Sequence, residues 1–310
     1  MSRIRFDPLS NEPVLFAPER RLRPNAFDGD PSTDPLCPFC PGNEDQTPAE
    51  VARIAHGGRW EVRVVPNRYP MVGGTGGPGA HEVVIETPSH KAKFATLENS
   101  QRERILRAYR ERFAAHRRNR ALRHIVIFRN EGPKAGQTIV HAHAQIVGLP
   151  FIPERHKRHA AALRSRSRIG QLCPLCEEES SAAERVLGGD EHFVALAPLV
   201  ARSPYQIRIQ PRRHVPDFGQ IGEQEIESLA ALLGSATRAL DHTLGSPSWN
   251  LIIQSAPLRI AGAEAFHWYV DLVPRLALDG GFELATGIPV NIVPPEETAR
   301  ELRHAMQMRK

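Results

Sequence analysis

The feature that most restricts this chain is a pair of short cysteine motifs, Cys37-Pro-Phe-Cys40 and Cys173-Pro-Leu-Cys176, each followed at long range by two histidines in the same order. Cys37 and Cys40 precede His90 and His141, and Cys173 and Cys176 precede His214 and His267. Equivalent cysteines lie 136 residues apart (37 to 173, 40 to 176), the first histidines 124 (90 to 214) and the second 126 (141 to 267). A repeated order at a nearly constant period marks two copies of one structural unit. Two thiolates with two imidazoles are the donor set of tetrahedral Zn²⁺, so a structural zinc site is expected in each half. Buried thiols without a metal are the plainer alternative. A redox pair fits less well, because both motifs read as preceding long loops and neither follows a strand into a helix.

Matching elements fill the spaces between these anchors. In the first half, strands are expected at 60–65 and 82–86, then a helix from Ser100, where Ser100 and Glu103 have capping-box spacing and Ile105, Leu106, Tyr109 and Phe113 form an apolar stripe. A strand at 124–129 follows. The second half repeats this with strands at 193–196 and 205–209, a helix carrying Ile226, Leu229, Leu233, Ala236 and Leu240, and a strand at 250–253. The glycine-rich 73–79 reads as a mobile surface loop, the break between halves falls between Pro150 and Gly170, and Pro295 with Glu296 and Glu297 opens a last helix.

With 310 residues and 41% hydrophobic content, the chain can bury two cores. It has no run of roughly eighteen apolar residues and no apolar leader at its start, so a cytoplasmic protein without a membrane span is expected. The net charge of +5 comes mainly from arginines at 102–123 and 155–168. A zinc-ribbon protein binding nucleic acid is therefore an alternative, but 6% aromatics without basic-aromatic interleaving provides little to stack bases on. Anionic small substrates suit the same charge.

The chemistry is concentrated in Asn130-Glu-Gly132-Pro-Lys-Ala-Gly136-Gln137-Thr138-Ile-Val-His141-Ala-His143-Ala-Gln145. As a strand, this places His141, His143 and Gln145 on one face. His143 beside a metal-fixed histidine is a rigidly held nucleophile toward phosphorus, and Gln145 is positioned to donate to phosphoryl oxygens. Gly132 and Gly136 would let backbone N–H groups approach phosphate. The second half has His267-Trp-Tyr269 at the equivalent place, keeping the ligand and losing the nucleophile, which points to one active half and one scaffold half.

These residues resemble the galactose-1-phosphate uridylyltransferase family within the histidine-triad superfamily. The resemblance covers most of the chain: Ala17-Pro-Glu-Arg20-Arg-Leu-Arg23-Pro, Cys37-Pro-Phe-Cys40-Pro-Gly-Asn-Glu44, Val65-Pro-Asn67-Arg-Tyr69-Pro and the His-x-His segment. It implies an α+β fold of two tandem histidine-triad-like domains, 1–155 and 156–310, with antiparallel sheets and flanking helices, assembled as a homodimer. It further implies His143 as nucleophile, phosphate contacts from Gln145, Arg20 and Arg23, and Asn67, Tyr69, Asn130, Gly136, Gln137 and Thr138 near the nucleotide. The reaction implied moves UMP or AMP between a nucleotide sugar and a hexose phosphate or inorganic phosphate. Gly281-Phe282-Glu283-Leu-Ala-Thr-Gly287-Ile-Pro-Val-Asn291 looks more like the ADP-glucose phosphorylase branch, and Phe282, Glu283, Gly287 and Asn291 are expected near the sugar or its phosphate. Histidine-triad hydrolysis, with water as acceptor, is a third reading.

Overall fold

In a computed structural model, which describes residues 3–6, 13–17, 20, 37–170 and 173–307, the matching segments of the two halves form the two ends of one sheet. A separate antiparallel pair, β1 (Arg3–Phe6) and β2 (Pro13–Phe16), stands outside it. The first half contributes β3 (Ala52–His56), β4 (Arg59–Pro66), β5 (Ala80–Ile85), α1 (Asn99–Arg118), β6 (His124–Glu131) and β7 (His143–Leu149). The second begins with α2 (Glu154–Arg168) and α3 (Pro174–Ser181) and contributes β8 (Val186–Gly189), β9 (Phe193–Leu196), β10 (Ile207–Pro211), α4 (Glu223–Leu244), β11 (Trp249–Gln254) and β12 (Tyr269–Pro274). Two helices follow, α5 (Gly281–Thr286) and α6 (Pro295–Gln307).

The ten strands are ordered β3-β4-β5-β7-β6-β11-β12-β10-β9-β8, every neighbour antiparallel. From either edge inward they follow chain order with the last two exchanged, β7 before β6 and β12 before β11. The halves meet where β6 pairs β11, from Trp249 opposite Glu131 to Ile253 opposite Ile127.

Strand alternation sorts the side chains between two faces. Ala144 and Ile146 of β7, Ile125 and Ile127 of β6, Leu251 of β11 and Leu272 of β12 face α1 and α4, which pack on one another, in a core continuous across both halves. Ile105, Tyr109, Phe113, Ile226, Leu229 and Leu233 supply the helical side, fully buried as their periodicity predicts. Each such side chain stabilises the fold by about 1.5–3 kcal/mol. His143 and Gln145 consequently lie on the opposite face.

Several local expectations change. Helix α1 starts at Asn99 with Glu98 at its N-cap and no side-chain cap, which leaves Ser100 inside the first turn, past the position from which a hydroxyl can cap. The strand expected at 205–209 is Ile207–Pro211, because Tyr205 turns to φ +59°, and its hydroxyl donates to Glu301 on α6. The expected break at 150–170 is largely occupied by α2, whose Ala160 and Leu163 pack on Ala256 and Phe266. The loop expected at 73–79 is present, exposed at 76–78, and its two ends lie close together: a Cβ on Gly73, at φ +79°, would stand 2.4 Å from the Gly79 carbonyl oxygen. The second cysteine motif opens a helix, since Pro174 takes the first turn of α3.

Candidate functional site

Both Cys-Cys-His-His sets converge. In the first, Cys37, Cys40, His90 and His141 bring their ligand atoms within 4.8 Å of one another, and Cys173, Cys176, His214 and His267 do the same in the second. Sulfur-to-Nδ1 distances are 3.3 to 3.7 Å in the first cluster (Cys40 to His90, Cys37 to His141) and 3.4 to 3.7 Å in the second. A tetrahedron with bonds of roughly 2.3 Å to sulfur and 2.1 Å to nitrogen has an edge of about 3.6 Å, so the donors fit a small four-coordinate cation. The far ring nitrogens agree. His141 Nε2 donates to the Thr87 carbonyl at 2.7 Å, His267 Nε2 to Pro211 at 2.8 Å and His214 Nε2 to Glu264 at 2.8 Å, which leaves Nδ1 as the lone-pair atom facing the cysteines.

Electrostatics point the same way. Burial lowers His141 and His267 to about 4, keeping both imidazoles neutral. Burial, then the neighbouring Cys40, pushes the Cys37 thiol up to about 12, a cost that a bound cation reverses by stabilising thiolate. The two clusters can therefore hold metal ions.

The first cluster fixes the start of β7. The strand begins at His143 and not at His141, so only His143 and Gln145 share its face. The chain bends there because His141 turns its ring toward the cysteines while its carbonyl accepts Nδ1–H of His143 at 2.8 Å. The intervening Ala142 carbonyl accepts from Glu86 N at 3.1 Å. That tautomer places the His143 lone pair on Nε2. Phe39, between the two cysteines, sets its ring edge-on against His143 (centroids 5.4 Å) and His141 (6.1 Å). The sequence reading missed Phe39; an apolar residue enclosed in a metal-binding turn was the available signal.

Around this core, Gln145 Oε1 lies 2.8 Å from His81 Nε2, Asn67 Oδ1 accepts from Tyr69 N at 2.8 Å, and Arg20 Nη1 donates to the Tyr69 carbonyl at 2.9 Å. Arg23 falls outside the described residues. Asn130 Oδ1 accepts from Asn250 Nδ2 at 2.9 Å, and Asn130 Nδ2 donates to Gly136 O at 3.2 Å. The glycine-bearing loop departs from its expected use. Gly132 N donates to Gln137 Oε1, Gly136 N to Pro133 O and Gln137 N to Gly132 O, so these N–H groups are taken up by the loop's own turn. Thr138 follows it, half-buried.

The second half has other side chains at the equivalent places. Tyr269 and Asp271 stand at the 126-residue offset from His143 and Gln145. Arg208 holds Asp271 at 3.1 Å and stacks on the Tyr269 ring at 4.3 Å. These residues line a cavity of about 1090 Å³ that also includes Gln254, His267 and Glu283. Phe282 and Glu283 sit on α5, Gly287 caps it, and Asn291 donates to Ala201 O at 3.1 Å, so this segment lies on the second half.

Most arginines of α1 that suggested a basic stripe are engaged. Arg107 and Arg110 pair with Glu223, Arg112 with Glu82 and Arg117 with Asp217, while Arg102 donates to the carbonyls of Ala230 and Phe94. Among the described residues no helix is long and apolar enough to cross a membrane.

Comparison with known proteins agrees with this geometry. Residues 31–152 match a family model described as the N-terminal domain of DUF4931, a domain of unknown function. ADP-glucose phosphorylase of Arabidopsis thaliana is 31% identical over 97% of this chain and 92% of its own length. Galactose-1-phosphate uridylyltransferase of Thermotoga maritima is 28% identical over 98% of each. A crystal structure of an Arabidopsis thaliana ADP-glucose phosphorylase with bound ADP-glucose superposes with a TM-score of 0.82 at 31% identity, covering 98% of this chain and 99% of that one. With a cluster-anchored His-x-His, a doubled antiparallel half-sheet and full-length similarity to these enzymes, the chain belongs to the galactose-1-phosphate uridylyltransferase family and is a nucleotidyltransferase.

Proposed function

We propose that the enzyme transfers AMP from an ADP-sugar to inorganic phosphate through a nucleotidyl adduct on His143. The observation that carries the reading is the Nδ1–H bond of His143 to the His141 carbonyl, which fixes the tautomer with the lone pair on Nε2 and ties the ring to a peptide next to a candidate metal cluster. In the first step Nε2 attacks the α-phosphorus, a P–N bond forms, and the bond from phosphorus to the bridging oxygen breaks, releasing sugar 1-phosphate. The ring then carries positive charge with Nδ1–H retained, and the carbonyl bond strengthens as that charge grows, so it stabilises the transition state more than the ground state. In the second step a phosphate oxygen attacks the adduct, the P–N bond breaks, and the nucleoside diphosphate leaves with Nε2 restored.

In this reading Gln145 donates to the α-phosphoryl oxygens, and Arg20 and Arg23 neutralise phosphate. Asn67, Tyr69 and Asn130 lie along the nucleotide, with Gly136, Gln137 and Thr138 beside them. Adenine is preferred because the ADP-glucose phosphorylase relative is 31% identical along nearly the whole chain. Uridylyl transfer to a hexose 1-phosphate is the second reading, favoured by the equally complete match to the Thermotoga maritima enzyme.

Zinc is the ion proposed for both clusters. Four protein donors leave no open position, so its contribution is to fix the turns and the start of β7, not to activate water. A reducing, cytoplasmic setting suits cysteines used as ligands. A homodimer is supported by an apolar run outside the monomer core, from Leu278 (83% exposed) through Phe282, Leu284 and Ile288 to Ile292 (81% exposed), which would place Phe282, Glu283, Gly287 and Asn291 at an interface.

The test is incubation with α-³²P-labelled ADP-glucose and UDP-glucose, with and without phosphate. Acid-labile, base-stable label on His143 from ADP-glucose, discharged by phosphate as ADP, is the expected result. Discharge to AMP alone would make the enzyme a hydrolase, and no label on wild type would remove the covalent mechanism.

A further inference from the structure

We infer that His81 is a positioning residue that decides which end of the Gln145 side-chain amide faces the substrate. The inference rests on the proposed donation from Gln145 to the phosphoryl oxygens, and it starts from a backbone group whose orientation is fixed. Met71 N–H donates to His81 Nδ1 at 3.0 Å, so Nδ1 is bare and the neutral ring carries its proton on Nε2. That Nε2–H lies 2.8 Å from Gln145 Oε1, and an N–H there requires an acceptor. The amide oxygen is thus held toward His81, and the NH₂ end is directed away from it.

The sheet explains why the two side chains meet. His81 pairs with Val147 and Val83 with Gln145 between β5 and β7, so His81 and Gln145 are diagonal neighbours on one face, within reach of long side chains. Gln145 in turn shares that face with His143, two residues away. Asn67 Nδ2 also lies 3.1 Å from His81 Nε2. Asn67 Oδ1 takes Tyr69 N–H, so the atom nearest the ring is a donor, and it would favour the opposite tautomer. The Nε2–H tautomer satisfies both Met71 and Gln145, whereas the Nδ1–H tautomer would suit Asn67 but set two donors against each other at Met71.

The two ends of a glutamine amide are nearly equal in size, so packing alone does not choose between them. The choice matters to the reaction. With NH₂ toward the phosphate, Gln145 meets the developing negative charge with a donor; flipped, it presents a carbonyl oxygen to anionic oxygens and raises the barrier.

Removing the donor with His81→Phe, which keeps a ring, should slow single-turnover labelling of His143 by about tenfold, the scale of one lost hydrogen bond together with a misdirected dipole. His81→Gln places an amide N–H near the original Nε2 and should recover the rate to within about threefold of wild type. In a Gln145→Ala background, His81→Phe should have no further effect; an equal slowing there would mean that His81 acts by general packing and would overturn the proposal. The unmodified enzyme gives a second readout, since ¹H–¹⁵N correlation of the ring nitrogens should show His81 protonated on Nε2 alone, and an Nδ1–H ring would also overturn it. A slow Gln145→Ala with a fast His81→Phe sinks only this inference. Wild-type labelling by Gln145→Ala sinks the role of Gln145 itself.

Discussion

Arg129 Nε donates to Glu86 Oε2 at 2.8 Å in a space where neither side chain has any exposed surface. The pair lies beside the start of β7, where Arg129 is opposite Ala144. Glu86 N binds the Ala142 carbonyl between the two histidines, Tyr109 donates its hydroxyl to Glu86 Oε1, and Gln101 donates to the Glu86 carbonyl at 2.7 Å. The guanidinium is held between the rings of Phe94 (5.1 Å) and Trp249 (5.2 Å), the latter from the second half. The neighbouring carboxylates of Glu86 and Glu131 keep Arg129 charged despite burial.

Removing one member of this pair leaves the other buried without its partner. Arg129→Met and Glu86→Gln are each expected to destabilise the fold by about 3–5 kcal/mol, read from the urea midpoint. The double variant should cost less than the sum of the two. Additive costs would show that the charges act independently.

The two clusters should separate by function. Cys37→Ser is expected to lower bound metal from two ions per chain to one and to remove most His143 labelling, because His141 then loses the anchor that orients its carbonyl. Cys176→Ser should also lose one ion and reduce stability, yet retain labelling, since Tyr269 and Asp271 carry no reacting group. Metal content by plasma mass spectrometry beside the labelling assay checks both. Equal loss of labelling in the two variants would contradict a scaffold role for the second half.

Acid sensitivity should trace in part to His124. Burial, with the neighbouring His156 ring 4.1 Å away, lowers His124 to about 3. Its folded value is below the unfolded one, so between roughly pH 6.5 and 3 the unfolded chain binds a proton that the folded chain does not, and stability falls as pH falls through that window. The loss at pH 5 is on the order of 2 kcal/mol. His124→Leu should flatten the fall in thermal midpoint between pH 7 and pH 5; an unchanged slope would assign the sensitivity elsewhere.

Gly132 should resist substitution for two separable reasons. Its φ is +80°, and a Cβ there would come within 2.4 Å of Ser248 Oγ on the second half. Gly132→Ala is expected to cost about 1–3 kcal/mol. Adding Ser248→Gly should recover only part of this, because it relieves the contact and not the backbone strain. Full recovery would show that the conformation itself is free of strain.

The sequence determined the two candidate metal clusters, the proposed nucleophile His143 and the repeated order of elements. Those depend on residue identity at particular positions: thiol and imidazole donors, a second histidine two residues past a ligand, and apolar periodicity along 105–113 and 226–240. The tertiary structure decided how the repeats join, which atom of the Gln145 amide meets His81 and what occupies Asp271 in the second half. The β6–β11 junction is made by backbone hydrogen bonds that any side chains permit, so no pattern in the residues announces it. His81 meets Gln145 across 64 residues and Arg208 meets Asp271 across 63, contacts that exist only once the strands are in register. Four of the α1 arginines, Arg107, Arg110, Arg112 and Arg117, meet carboxylates as distant as Glu223, because a charge in the sequence does not disclose its partner.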